Sequence, residues 1–135
     1  MRDLPNGASM QAILVVVLVI GAFFASAFIL LPKGFSSDTT IIGRGSNVAV
    51  LAHNKDSVQS LTLIELMNKV RDDYKGRIKF IVADVNTPEG RKFVDDQNVE
   101  PGSLLLFGSD GIRRQVVSNI NNQSILRSEL DAVFK

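Results

Sequence analysis

The chain has 135 residues and a formal net charge of +1, enough length for one domain plus an appendage and too little charge to create a global field for nucleic acid. It has no cysteine and one histidine, His53, so it offers no disulfide, no thiolate nucleophile and no multi-His or Cys zinc site. No loop pattern marks a carboxylate site for a hard cation, and no cofactor motif is present. Two basic runs, from Lys69 to Arg77 and at Arg113-Arg114, are mixed or short and fit a solvated helix face and a strand edge.

Residues 1–9 form a short N-terminal tail. From Met10 to Leu31 there is no charge, and fourteen of the twenty residues from Ala12 to Leu31 are Ile, Leu, Val or Phe. Twenty helical residues rise about 30 Å, the thickness of a bilayer core. The spacing predicts a transmembrane helix over 10–32, ended by Pro32 and Gly34. Its apolar run exceeds the roughly 7–15 residues of a signal-peptide core, which favours an uncleaved anchor. The flanking charges are nearly balanced, and the short tail before the helix favours an N-terminus in the cytoplasm and a domain carried across. Gly21, Ala22, Ala25 and Ser26 share one helix face, where small side chains let another membrane helix approach closely.

Residues 33–46 are rich in Gly, Ser and Thr and read as a linker to a domain over 47–135. Within it, Asn47 to Ala52 is a continuous apolar run suited to a buried strand. Asp56 or Ser57 is placed to cap a helix whose apolar stripe runs through Val58, Leu61, Ile64, Met67 and Val70, widened by Leu63, Leu66 and Tyr74, with Gly76 as its stop. Ile78 to Val85 is a second strand, and Pro88 opens a short helix. Leu104 to Phe107 is a third strand, Gly108 to Gly111 a tight turn, and Ile112 to Val117 an antiparallel return. Ser124 is placed to cap a last helix with a stripe of Ile125, Leu126, Leu130, Val133 and Phe134. This capping role weighs against reading Asn122-Gln123-Ser124 as a glycosylation triplet. The order β-α-β-α-β-β-α implies an α/β domain, a small mixed sheet with helices on both faces.

The segments Asp72 to Arg77, Lys79 to Asn86 and Leu104 to Ile112, in this order and spacing, resemble the thioredoxin family. The resemblance covers Asn47 to Lys135 and implies a thioredoxin-like mixed sheet. The family's Cys-x-x-Cys at the start of its first long helix falls on Ser57-Val58-Gln59-Ser60, so both cysteine positions, Ser57 and Ser60, carry serine. The family's tryptophan before the motif is absent, and Leu51 stands where a buried acid often assists. Gly102 takes the slot of the family's cis-proline, with Pro101 one residue early.

Thiol–disulfide exchange needs a thiolate attacking sulfur. A helix N-terminus lowers a thiol's pKa, but a serine hydroxyl is far less acidic and forms no S–S analogue. The resemblance, the absence of cysteine and the apolar helix together lead us to expect a redox-inactive, membrane-anchored protein without enzymatic thiol chemistry, an accessory or scaffold subunit of a membrane complex. The resemblance also implies a peptide-gripping face made by His53, Asp56, Ser57, Val58, Gln59, Pro101, Gly102 and Ser103. The expected partner is a membrane protein, held by the membrane helix and by this face, with the domain on the periplasmic side of a bacterial inner membrane. The competing readings are a thioredoxin-like oxidoreductase or a chaperone-like factor in envelope-protein or cytochrome maturation. A hydrolase built on Ser57, His53 and Asp56 lacks an oxyanion hole and a nucleophile elbow in the sequence.

Overall fold

The computed structural model describes the backbone of residues 6–30 and 34–135, and side chains within 9–24 and 34–135. The described chain divides into two compact units, one ending before and one beginning at Gly34.

The first unit is helix α1 (Asn6–Leu30). Every apolar side chain described from Met10 to Phe24 is exposed, Phe23 and Phe24 among them. Among the described residues, no helix is long and apolar enough to cross a membrane. The stretch with described side chains, 9–24, rises about 24 Å, against a bilayer core of about 30 Å. The membrane-spanning expectation over 10–32 thus extends beyond what the structure describes, and its end at Pro32 lies outside the described residues. Gly21 has open space where a Cβ would stand and Ala22 is exposed, while the side chains of Ala25 and Ser26 lie outside the described residues.

The second unit holds a four-stranded sheet. Its strands are β1 (Asn47–His53), β2 (Ile78–Asp84), β3 (Leu104–Phe107) and β4 (Arg113–Val117). The spatial order is β2-β1-β3-β4, with β1 parallel to β2 and antiparallel to β3, and β3 antiparallel to β4. Helices α2 (Val58–Val70), α3 (Pro88–Gln97) and α4 (Gln123–Val133) complete the unit. The apolar runs are buried on both faces of the sheet, and alternate residues feed opposite cores. Ala49, Leu51, Phe80, Val82, Leu104 and Leu106 meet α2 and α4 through Leu63, Met67, Leu126 and Leu130. Val48, Val50, Ile81, Leu105 and Phe107 meet α3 through Val94 on the other side. A Cβ on Gly90 would stand 2.0 Å from the Asp84 carbonyl oxygen, so glycine is what lets α3 lie this close to the end of β2.

Three expectations change on contact with the structure. The segment 33–46 is not a free linker from Gly34 onward. Ser36 pairs with Ile81 as a parallel bridge, and its carbonyl accepts the Val82 N–H at 2.9 Å. Phe35 packs on one core under the Arg71 guanidinium, and Ile41 and Ile42 pack on the other. A 3-10 turn over Thr39–Ile41 is capped by Asp38. The Gly/Ser composition is real, but three apolar anchors stitch the segment to the domain.

The buried face of α2 is also rotated from the expected stripe. Leu63, Leu66, Met67 and Val70 are buried with Ser60, whereas Val58 and Leu61 face solvent. The regular helix ends at Val70 and continues as a 3-10 turn over Arg71–Tyr74 before Gly76. Finally, α4 is capped by Asn122, whose side chain accepts the Ile125 N–H at 2.9 Å, rather than by Ser124. Asn122 comes two residues earlier, and its longer side chain spans the same first turn.

The rotation of α2 has a measurable consequence. Leu63→Ala is expected to lower unfolding stability by about 2–5 kcal/mol, and Leu61→Ala to change it by less than about 0.5 kcal/mol. Chemical denaturation of the two variants checks the assignment; similar losses would return Leu61 to the core.

Candidate functional site

The C-terminal end of β1 runs into the loop Asn54–Ser57, which turns the chain into α2. The Asn54 side chain accepts the Asp56 N–H at 3.0 Å, and the Asn54 carbonyl accepts the Ser57 N–H at 2.9 Å. This tight turn sets Ser57 in an extended conformation (φ −100°, ψ 117°) as the N-cap of α2. Its Oγ accepts the Ser60 N–H at 3.2 Å, satisfying one of the donors that a helix start leaves open.

Ser60 lies one turn into the helix and is completely buried. Its Oγ accepts the Asn54 N–H at 3.2 Å and donates to the Ala52 carbonyl at 3.4 Å. The hydroxyl therefore ties the first turn of α2 to the end of β1. Both serines are thus engaged in holding backbone, and both act through oxygen.

The loop before β3 closes over the same place. Gly102 N–H donates to the Ala52 carbonyl at 2.8 Å, and Ala52 N–H donates to the Ser103 carbonyl at 3.0 Å. The Ala52 carbonyl thus serves both Ser60 and Gly102. Gly102 has φ +91°, and a Cβ there would stand 3.2 Å from the Gln59 side chain. Among the described residues no peptide bond is cis, so Glu100–Pro101 is trans. Gln59 then reaches across to Asn119, its Nε2 donating to Oδ1 at 3.0 Å, and Asn119 itself has φ +61°.

The eight residues expected to form one face are therefore brought together, but they do not all face outward. Gly102 and Ser103 are buried; the Gly102 N–H and the Ser103 carbonyl pair with Ala52, and the Ser103 N–H donates to the Glu100 carbonyl. The surface left for another molecule is made by Asp56, Val58 and Gln59, with half-buried Ser57 and Pro101 at its margin. Val58 is 78% exposed, and Leu61, one turn below the cap, is 45% exposed. Sequence reasoning placed Leu61 in the core and passed over Asn119. The polar tether from Gln59 to Asn119, sixty residues apart in the chain, left no local signal.

His53 stands at the edge. Its Nδ1 is buried without a hydrogen-bond partner. Among the described residues, no hydrogen bond joins it to Ser57, whose Oγ is occupied by the helix N–H. The Ser57, His53 and Asp56 set is not assembled as a hydrolase triad. Beside His53 on β2, the Asp84 carboxyl is held below the usual carboxylate range, first by the Asn86 backbone N–H at 2.8 Å and then by the Asn86 side chain, with His53 and Lys55 adding positive charge nearby. Among the described residues, no cluster of three His, Cys, Asp or Glu is arranged to hold a metal.

No family model matches the sequence, and no curated protein does. Solved structures do match in shape. Thioredoxin O2 from Arabidopsis thaliana superposes with a TM-score of 0.59 at 11% identity, over 71% of this chain and 85% of that one. A chain from the structural work on thiol resolution in yeast mitochondrial 1-Cys peroxiredoxin gives 0.62 at 16% identity, over 75% and 97%. An uncharacterized thioredoxin-like protein from Clostridium perfringens gives 0.63 at 7% identity, over 73% and 79%. At these identities the likeness fixes the fold alone: the second unit is a thioredoxin-like α/β domain, and the 135-residue chain contains no thiol with which to perform disulfide exchange.

The two hydroxyls are expected to matter for stability rather than turnover. Ser57→Ala should cost about 0.5–2 kcal/mol, the usual loss on removing an N-cap, and Ser57→Asp, which preserves an acceptor at the cap, should recover most of it. Denaturant titrations of both variants check this; a neutral Ser57→Ala would remove the capping role.

Proposed function

We propose that the chain is a redox-inactive, membrane-anchored thioredoxin-like protein that works by binding a protein partner, as an accessory or scaffold subunit of a membrane complex. The observation that carries this reading is the start of α2. Ser57 and Ser60 stand at the positions the resemblance assigns to cysteine, the first hydroxyl caps α2 and the second ties it to β1, and an exposed apolar pair, Val58 and Leu61, stands beside them. Burying such side chains against a partner releases about 1.5–3 kcal/mol for each one fully covered. The polar groups Asp56 and Gln59 at the margin supply directional contacts.

Membrane anchoring is supported by the uncharged apolar run from Met10 to Leu31 and by the exposure of every apolar side chain described in α1. A helix apolar all round gains nothing by standing in water, and the hydrocarbon of a bilayer is one solvent that covers all its faces. The face holding Gly21, Ala22, Ala25 and Ser26 then meets a helix of the same partner. In this reading the domain lies on the periplasmic side of a bacterial inner membrane.

The test is gentle detergent extraction of the tagged full chain, followed by identification and quantitation of what accompanies it. One stoichiometric membrane partner is expected, with its yield reduced at least about tenfold by Val58→Asp or by Gly21→Leu, and unchanged by Lys92→Glu on the exposed face of α3. Retention of the partner by both of the first two variants contradicts the assigned contacts. Many substoichiometric companions would indicate the chaperone-like alternative. Release of the chain by alkaline washing of membranes would contradict the anchor.

A further inference from the structure

At the end of the sheet opposite the α2 cap, the starts of β1 and β2 border a groove of about 450 Å³. Arg77, Lys79 and Lys135 line it together with Gly45, Gly76 and Ser109, and no Asp or Glu is among its lining residues. Arg77 is held in place: its guanidinium donates to the Phe134 carbonyl at 3.3 Å and lies 5.3 Å from the Tyr74 ring centroid. Lys79 is exposed on β2, and exposed Lys75 precedes Gly76 in the turn that forms one wall. A terminal carboxylate would cancel the charge of Lys135 and leave those of Arg77 and Lys79. The nearest acids in sequence are differently engaged: Asp73 pairs with Arg127 at 2.6 Å, and Asp131 accepts the Tyr74 hydroxyl at 2.9 Å. Exposed Asp72 is the remaining acid on this turn.

The groove's position gives this charge a meaning. Because Ser36 pairs with Ile81 in parallel, tracing the chain back to Gly34 leads toward Lys79, the start of β2. The described chain of the domain therefore begins, at Gly34, at its cationic end, and the α2 cap lies at the other.

We propose that this groove binds the phosphate of anionic lipid headgroups. The inference rests on the anchored reading above and adds a second, electrostatic contact with the same membrane. The fixed Arg77 guanidinium and the Lys79 ammonium, both lining the groove, suit a headgroup phosphate, which accepts hydrogen bonds from both. Each juxtamembrane cation strengthens attraction to an anionic leaflet about fivefold, and the effect weakens as salt shortens the Debye length.

The test uses the full chain in vesicles, with a polarity-sensitive fluorophore on Ser109→Cys; the absence of native cysteine makes the attachment unique. A second preparation carries the fluorophore on Asp56→Cys, at the opposite end of the sheet. In phosphatidylcholine vesicles with increasing phosphatidylglycerol, the Ser109 reporter should respond and the Asp56 reporter should not. Lys75→Gln with Lys79→Gln should raise the phosphatidylglycerol fraction needed for half the response at least about fivefold. Equal responses in the two lipids, equal responses at the two positions, or no effect of the double substitution would overturn the proposal. So would the same response to millimolar inorganic phosphate without lipid, which would make the groove a site for soluble anions. Alkaline extraction separates the two readings. A chain that extracts yet still responds to phosphatidylglycerol loses its anchor and keeps its groove; one that resists extraction with a silent reporter does the reverse.

Discussion

One carbonyl oxygen organises the functional end of this domain. Ala52, the last fully buried residue of β1, accepts hydrogen bonds from the Ser60 hydroxyl and the Gly102 N–H. The first ties α2 to the sheet, and the second ties down the loop before β3. Ser57 completes the arrangement by capping the helix from outside. A buried carbonyl left without donors costs about 1–3 kcal/mol, so the two elements are held in register by the same requirement. In a thioredoxin-like fold this is where thiol chemistry resides, and here oxygen takes over as structural glue. A hydroxyl at position 60 is a better partner for a buried carbonyl than a thiol, whose S–H donates weakly.

The same closure decides what remains available to other molecules. Since the N–H groups of Gly102 and Ser103 and the Ser103 carbonyl are paired within the domain, an approaching peptide does not find these three groups free. In the reading proposed above, recognition runs through Val58, Leu61, Gln59 and Asp56. An apolar centre with a polar margin is the usual anatomy of a protein contact. At the opposite pole the domain is cationic, and its described chain begins there at Gly34.

Much of the architecture was legible in the chain. The two central strands announced themselves because both of their faces are buried, which requires an unbroken apolar run: Val48 to Ala52 and Leu104 to Phe107 have no polar residue to accommodate. Pro88 marked the start of α3, since proline fits a helix start, and the structure adds Thr87 as the cap, its hydroxyl 3.1 Å from Gly90 N. The mixed four-stranded sheet and its order of elements followed from these pieces. The face of α2 did not. Ser60 is buried for its hydrogen bonds, which hydrophobic spacing cannot register, and counting Val58 and Leu61 as core turned the stripe away from its true position. The Gly/Ser-rich segment after α1 misled for a related reason. Composition described its average residue, while Phe35, Ile41 and Ile42 determined where it went. Of the candidate site, the location at the start of α2 was readable from the Ser-x-x-Ser spacing, but the tether between Gln59 and Asn119 depends on tertiary contact alone.

The central claim is that the domain keeps a thioredoxin-like fold and places two serines, with no thiol in the sequence, at the start of α2. The most direct measurement is insulin disulfide reduction with dithiothreitol, comparing the purified full chain with its Ser57→Cys/Ser60→Cys variant. The native chain is predicted to leave the background rate unchanged, and the variant to accelerate it. Acceleration by the native chain would contradict the account.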